Sequence, residues 1–371
     1  MQVKTDCKYY LAYKPCKFHK NDGRICENCK DYDPVGIRIL IVKLDALGDV
    51  LRTTSILPAL KKKYPVSEIT WVTKKNAFLL LEGNPFINRK LAIEDNFTQY
   101  LLTESFDIGI CLDADPQSAS ILTLSNCKEQ LGFIVNKDGK VVPANKEAHQ
   151  WWLMGVNDDI KKENRTTYQE HTYKICRLTT KVEKPQFELD EKSISFAENL
   201  DNENNLKQFK KVIGINTGGG SRWELKKWIF ESYIELIKLI KQKHPNYGIL
   251  LFGGPEEIEM NKKIQEQIPD LIIDTGCKNS IKEFAALINL CDVFFTSDSL
   301  GMHLSIALNK TTIVLVGPTS PWELEVFGDG EVIYNKELEC IACYKSTCDF
   351  VKNCMNTLSP EFVYDKMSIH F

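Results

Sequence analysis

No apolar run in the 371 residues reaches the length of about 18 that a bilayer-spanning helix requires. Runs such as 39–42 and 313–316 have only strand length, so a spanning helix is not expected. The opening Met1-Gln2-Val3-Lys4-Thr5-Asp6-Cys7 lacks the apolar stretch of a secretory signal, which leads to the expectation of a cytosolic chain. An excess of charge of one sign is missing as well. Lys+Arg 47 against Asp+Glu 50 leaves a net charge of -3, too little to hold a polyanion by its field, and no nucleic-acid partner is expected. There is no tandem repeat of solenoid length. What is present is ordinary globular material: 43% apolar against 26% charged residues, enough for a sizeable core. At about 100–200 residues per domain, the length fits two domains.

Thirteen cysteines are many for a reduced compartment yet too sparse for a disulfide scaffold. Eight of them form two sets, Cys7, Cys16, Cys26 and Cys29 near the start and Cys340, Cys343, Cys348 and Cys354 near the end. Each set offers four soft ligands, with His19 beside the first, and such sets suit structural zinc or iron; free thiols are the alternative. Clustering at both ends suggests two staples outside the main folding units, over residues 1–34 and 340–371.

From residue 37 onward, short β-branched apolar runs alternate with segments of helical period, the pattern of βα units around a parallel sheet. Strands are expected at 37–44, 68–73, 91–93 and 106–112, and the pattern restarts with 212–216, 248–252, 271–274, 293–296 and 311–316. An α/β fold of two doubly wound, Rossmann-like domains follows, one over 35–200 and one over 206–339. The boundary falls within 184–211, where Asp201-Asn202-Glu203-Asn204-Asn205 is the most polar point. A helix is predicted through Ile229, Tyr233, Leu236, Ile237 and Ile240, and Pro58 is predicted to break or kink the helix that contains it.

Ligands of such folds sit outside the carboxyl ends of the strands, so the strand-to-helix loops carry the chemistry. The first reads Asp45-Ala46-Leu47-Gly48-Asp49-Val50-Leu51-Arg52-Thr53, where Gly48 permits close backbone approach and Asp49 is either an N-cap or a carboxylate aimed at the cleft. The second, Asn216-Thr217-Gly218-Gly219-Gly220-Ser221-Arg222 leading to Lys226-Lys227-Trp228, can cradle phosphate with backbone N–H groups and add a lysine charge. It is no Walker A loop, because Gly-Lys-Ser/Thr is not at the required spacing. The third, Gly253-Gly254-Pro255-Glu256-Glu257, offers either hydroxyl acceptors for a sugar or ordinary first-turn carboxylates. In the fourth, Thr296-Ser297-Asp298-Ser299-Leu300-Gly301-Met302-His303, a strand opens into a helix whose N–H groups suit a diphosphate, and a capping Asp or Ser with a buried His is the competing explanation. Asp113-Ala114-Asp115 has the form of a metal-binding Asp-x-Asp, but two carboxylates after a strand are common and carry little weight.

At these loops, and over about residues 37–360, the chain resembles glycosyltransferase family 9, the family of the ADP-heptose:lipopolysaccharide heptosyltransferases. The resemblance rests on Ile39-Leu40-Ile41-Val42-Lys43-Leu44-Asp45-Ala46-Leu47-Gly48-Asp49-Val50, on Lys226-Lys227-Trp228, on Gly253-Gly254-Pro255-Glu256-Glu257, and on Asp298-Ser299 with Met302-His303. It implies a GT-B architecture and an inverting, metal-independent sugar transfer, with no catalytic cofactor. By resemblance Asp49 is the general base, Lys226 meets the diphosphate, Glu257 meets the ribose, and Asp298, Ser299 and His303 begin the nucleotide-sugar helix. Thr217, Gly218, Gly219, Gly301 and Met302 complete the expected donor site, and Gly48, Arg52 and Thr53 lie on the acceptor side. Where family members commonly read Asp-Ser-Gly-Pro-Met-His, Leu300-Gly301 stands in the Gly-Pro position.

The expected donor is therefore a nucleotide-sugar such as ADP-heptose. The expected acceptor is a cell-envelope glycan or glycolipid, with peripheral contact at the inner membrane face. His149-Gln150-Trp151-Trp152-Leu153-Met154 and the charged 158–165 stretch are either part of an acceptor platform or packing at the end of the first domain. The competing functional readings are a cysteine-rich metal-binding interaction protein that has lost catalysis and a nucleotide-sugar epimerase or hydrolase on the same scaffold.

Overall fold

The computed structural model describes residues 2–220 and 224–371, so Ser221 and Arg222 of the second loop lie outside the described residues. Two six-stranded sheets form. The first contains β1 (Ile37–Val42), β2 (Ser67–Thr73), β3 (Arg89–Ala92), β4 (Ser105–Cys111), β5 (Asn126–Val135) and β6 (Val141–Pro143) in the order β3-β2-β1-β4-β5-β6. All its pairings are parallel except β5 with β6. The second contains β7 (Lys211–Asn216), β8 (Tyr247–Phe252), β9 (Ile273–Asp274), β10 (Val293–Ser297), β11 (Thr311–Leu315) and β12 (Glu331–Ile333) in the order β12-β11-β10-β7-β8-β9, parallel throughout.

Counted from its own first strand, each sheet runs 3-2-1-4-5-6, the doubly wound order whose direction of winding reverses between the first and fourth strands. The central strands are apolar on both faces because helices cover both faces: Ile39, Leu40, Ile41 and Val42 are fully buried. Two strand-to-strand crevices, β1/β4 and β7/β10, are thereby placed at the sheet rims where the candidate loops emerge.

Three sequence expectations change. The strands β5, β6 and β12 escaped notice: β5 exposes Lys128 and Glu129 in its first half, and the other two have three residues each. The polar stretch near residue 200 is a helix, Glu191–Asn204, capped at its start by Asp190, with only Ser193 and Ala197 buried. It packs on Ile281–Ile288 of the second lobe, so the connection between lobes is an ordered, mostly solvated helix. The break near Pro58 comes before it: Leu47–Thr53 ends, Thr54 and Ser55 intervene, and Pro58 sits in the first turn of Ile56–Lys63, where its missing N–H costs nothing. The helix through Ile229 to Ile240 forms as Phe230–Lys243.

The two chain ends also differ from each other. The last segment is built into the second lobe: Ala342, Met355, Leu358, Val363 and Met367 are buried, and the Trp228 indole donates to the Leu358 carbonyl at 3.1 Å. It is no appendage, contrary to the expectation of an outlying staple. Residues 2–34, by contrast, contain no buried residue at all. Among the described residues no helix is long and apolar enough to cross a membrane.

Candidate functional site

At the first rim, β1 delivers Lys43 and the helix Leu47–Thr53 presents Asp49 and Arg52 from one turn. The cap of that helix is Ala46, with no side-chain capping bond, so Asp49 is not a cap. Its Oδ1 pairs with Arg52 Nη2 at 2.9 Å and its Oδ2 stands 4.0 Å from Lys43 Nζ, while about a third of the side chain (34%) stays open. Burial works to raise the Asp49 carboxyl, but Arg52 and Lys43 outweigh it and hold the group below the usual carboxylate range. It is an ionised, cation-flanked carboxylate with one accessible face.

Lys43 is held in turn by Asp113, which follows β4 across the β1/β4 crevice. The two form a buried ion pair, and the other Asp113 oxygen accepts from the Leu44 N–H at 2.7 Å and the Ser118 hydroxyl at 3.1 Å. Asp115 caps Pro116–Leu124 through the N–H groups of Gln117 and Ser118. Both carboxylates of Asp113-Ala114-Asp115 are thus committed within the protein. The Arg52 guanidinium lies 3.5 Å from the Tyr168 ring centroid, and Thr53 and Tyr168 share a hydroxyl contact of 2.7 Å, which fixes the turn that carries Asp49.

The second rim mirrors this arrangement with the charges closed on one another. Asp298, after β10, pairs with Lys226 Nζ at 2.6 Å and accepts from the Thr319 hydroxyl at 3.0 Å. Burial works to raise its carboxyl, yet Lys226 brings it down to about 2. The helix Leu300–Ala307 begins at Ser299 with no side-chain cap, so neither Asp298 nor Ser299 covers its first N–H groups; the Ser299 hydroxyl instead meets Thr296 at 3.1 Å. A Cβ at Gly301 would approach Asn216 Nδ2 to 3.1 Å, so a side chain there would have to displace Asn216 by a few tenths of an ångström. Asn216 and Ser297 bind the carbonyl of Gly218, and Gly219 lies against the Lys226-Lys227 backbone, where a Cβ would come within 3.1 Å of Lys226 C.

Two expected donor contacts point elsewhere. Thr217 is fully buried: its N–H donates to Phe252 O, and its hydroxyl lies 2.6 Å from Asn261 Oδ1, so its N–H and side chain serve the shape of the loop. The Met302 side chain packs with Ile306, Val314, Val316 and Leu324 and leaves only its backbone at the rim. Glu257 is 4% exposed, accepts from the Gly254 N–H at 2.9 Å and pairs with Lys227 at 2.6 Å, so its first-turn role is realised.

The rims meet where Gly48 faces His303. A Cβ at Gly48 would lie 2.8 Å from His303 Cδ2, so only glycine allows the lobes this approach. His303 is 4% exposed, its Nδ1 has no partner among the described residues, and burial, reinforced by Arg52, lowers it to about 4, leaving a neutral imidazole between Asp49 and Asp298. Beside it a cavity of about 260 Å3 is walled by Lys43, Asp49, Arg52, Asp113, Trp151, Met154, Lys161, Tyr168 and His171 of the first lobe and Glu323 of the second. Trp151, Met154 and Lys161 come from the aromatic and charged stretches singled out in the sequence. Tyr168, His171 and Glu323 were missed without a local signal; Lys43 stood inside the first motif without a role, and Asp113 was noticed in Asp113-Ala114-Asp115 but set aside. Cation–π contacts close the far side, Lys161 over Tyr344 at 3.5 Å and Arg165 over Trp322 at 3.6 Å.

Residues 95–353 match the model of glycosyltransferase family 9 (heptosyltransferase). The lipooligosaccharide heptosyltransferase 2 of Campylobacter jejuni (serotype O:6) is 26% identical over 348 residues, covering 86% of this chain and 95% of its own. Among solved structures, a glycosyl transferase family 9 protein from Veillonella parvula superposes with a TM-score of 0.72 at 21% identity, covering 90% of this chain and 97% of that one. The ADP-heptose LPS heptosyltransferase II of E. coli gives 0.65 at 19% identity, covering 90% and 98%.

Proposed function

The chain belongs to glycosyltransferase family 9 and is a glycosyltransferase, and from that premise we propose that it transfers a heptose from ADP-heptose to a cell-envelope glycan of the lipopolysaccharide-core type, with inversion and without a catalytic metal. The donor and acceptor classes come from the relatives' names: lipooligosaccharide heptosyltransferase and ADP-heptose LPS heptosyltransferase. The observation that carries the mechanism is the uncapped, part-open Asp49 carboxylate facing the interlobe cavity beside the tip of Leu300–Ala307.

In this reading the acceptor sugar occupies the cavity between Trp151 and Asp49. As its hydroxyl oxygen attacks the anomeric carbon, Asp49 takes the hydroxyl proton. The ADP diphosphate leaves from the opposite face, which inverts the configuration. Lys226 and the N–H groups at the start of Leu300–Ala307 receive the developing negative charge from fixed positions, so little reorganisation is needed as the bond breaks. Asp298 keeps the Lys226 ammonium at that tip. His303, neutral and with an Nδ1 that has no partner among the described residues, bridges donor and acceptor sides as a hydrogen-bonding group. Glu323 and the cation–π contacts bring the lobes together over the cavity and limit water access to the donor. The acceptor would be met at the membrane face.

The test is transfer itself. Purified protein with ADP-heptose and a heptose-deficient lipopolysaccharide acceptor is expected to yield product only when both are present. Release of ADP or of an altered sugar at the same rate without acceptor would instead make it a hydrolase or epimerase.

A further inference from the structure

Among the described residues, Glu323 is the one wall of the cavity beside Asp49 that the second lobe supplies. It ends the 3-10 turn Pro321–Glu323, which follows β11. Its Oε1 accepts from the Tyr344 hydroxyl at 2.8 Å. Burial and the Glu323 charge push that hydroxyl up, so it stays protonated and keeps donating. Tyr344 is itself fixed: its N–H donates to Pro318 O at 2.9 Å, and its φ of 52° is a left-handed conformation that a bulky residue rarely adopts. The first lobe grips both neighbours of the carboxylate, Arg165 over Trp322 and Lys161 over Tyr344. The fold therefore imposes the place of Glu323, and that place in the cavity exists only with the lobes together.

The other charges along the wall are largely met by one another. Lys43 pairs with Asp113, and Arg52 with Asp49. Glu323 is half-buried, forms no ion pair, and has no hydrogen-bond partner at Oε2 among the described residues. A carboxylate offers acceptor sites, so a donor completes it. Lys43, Arg52 and Lys161 on the same wall disfavour a further cation as that donor. On a sugar the remaining donor is a hydroxyl. Arg52 feels the charge of both Asp49 and Glu323, so a sugar held at Asp49 lies beside Glu323 as well.

We propose that Glu323 reads the acceptor from the donor lobe: it accepts a hydrogen bond from an acceptor hydroxyl other than the one that is glycosylated, and so selects a sugar unsubstituted at that position. A phosphate there would set an anion against the carboxylate. The inference rests on the proposed transfer and adds which lobe chooses the acceptor. Loss of Glu323 then falls on acceptor binding and leaves the ADP end alone.

The test uses the full chain with a deacylated, heptose-deficient core oligosaccharide, adding ADP-heptose for turnover and ADP for binding. Glu323→Gln and Glu323→Ala are expected to raise the acceptor KM and the oligosaccharide Kd about tenfold to a hundredfold, the loss of one hydrogen bond to a charged group. The kcat at saturating acceptor, the ADP Kd and the unfolding midpoint are expected to stay at wild-type values. Among monodeoxygenated acceptors that keep the attacked hydroxyl, one is expected to bind wild type worse by the same factor, yet to bind Glu323→Ala no worse than the parent sugar does. Tyr344→Phe, which removes the hydroxyl that aims the carboxylate, is expected to shift the acceptor KM in the same direction by less. Acceptor KM and Kd unchanged in both Glu323 variants, or every deoxy penalty surviving in Glu323→Ala, overturns the proposal and leaves the transfer standing. An equal loss of ADP affinity overturns it too, because Glu323 would then only support the lobes. Oligosaccharide that binds through Glu323 without being glycosylated keeps the proposal and overturns the transfer, and no binding by wild type overturns both.

Discussion

The two lobes repeat one strand order and place a carboxylate after a central strand at each rim, yet the two carboxylates are in opposite states. Asp298 is 14% exposed, locked to Lys226, and driven to about 2. Asp49 leans on Arg52 and Lys43 but remains 34% exposed toward the cavity. The same topology thus yields one carboxylate that can only hold a cation in place and one that can still receive a proton. What separates them is a neighbour's charge: Lys43 is largely neutralised by Asp113 before it reaches Asp49, whereas Lys226 has only Asp298 as its ionic partner among the described residues.

The sharpest break in that comparison comes from the matched pair Asp49→Asn and Asp298→Asn. The first is expected to lower the transfer rate about a hundredfold to ten-thousandfold, the range for a positioned general base, while ADP binding and the unfolding midpoint barely move. The second is expected to lose both ADP affinity and stability, because it leaves Lys226 without its counter-charge. Isothermal titration with ADP alongside a product assay checks both. Equal losses of binding in the two variants would erase the assigned difference.

A second break goes through the support. Asp113→Ala strands the Lys43 ammonium, 3% exposed, without its main partner, and a loss of about 3–5 kcal/mol in unfolding free energy is expected by denaturant titration. Exchanging both partners, Lys43→Met with Asp113→Leu, is expected to recover much of that stability without recovering turnover. Full activity in the double variant would show that the pair does nothing for Asp49.

This buried pair also marks where sequence reading stops. The strand pattern was legible because β1, β4, β7, β8 and β10 are buried on both faces and read as continuous apolar runs. Asp49, Lys226 and Asp298 were legible because each follows a strand within a short motif. Lys43 and Asp113 are 70 positions apart and meet only through the β1/β4 pairing, so no local window contains both. Thr217 misled for the same reason in reverse: its glycine-rich neighbours suggested a ligand, but its hydroxyl partner is Asn261, 44 positions on. The helix Glu191–Asn204 was hidden by its solvated surface, since a helix that buries two small residues has the composition of a linker.

Acid should separate buried histidines from the carboxylates. Burial lowers His171 and His303 to about 4 from an ordinary 6.5. Between those values the unfolded chain holds protons that the folded chain does not, so stability falls as pH drops from about 6.5 toward 4, by roughly 3 kcal/mol per histidine at the limit. Asp298 has the same sign but a lower window: its stabilisation is full above its unfolded value near 3.8 and is lost as pH falls toward 2. Denaturant midpoints measured from neutral pH downward are expected to drop first in the histidine window, and His171→Asn is expected to flatten that first drop. A profile level down to pH 4 would mean that neither imidazole is kept neutral by the fold.

The smallest effect tests how finely Asp49 is set. Arg52 is the nearer of its two cations and itself lies over the Tyr168 ring. With Arg52→Gln the carboxylate loses that support while burial still opposes its charge, so its pKa rises toward or past the ordinary carboxylate value. The acid limb of kcat/KM is therefore expected to move to higher pH, with a modest loss at neutral pH where Asp49 is still ionised. Tyr168→Phe removes the hydroxyl contact with Thr53 but leaves the ring under Arg52, so it is expected to cost about 1 kcal/mol in stability and to leave the limb in place. If both variants moved the limb equally, the position of the turn would govern Asp49; if only Arg52→Gln does, the charge governs it, as the 2.9 Å pair on the open rim implies.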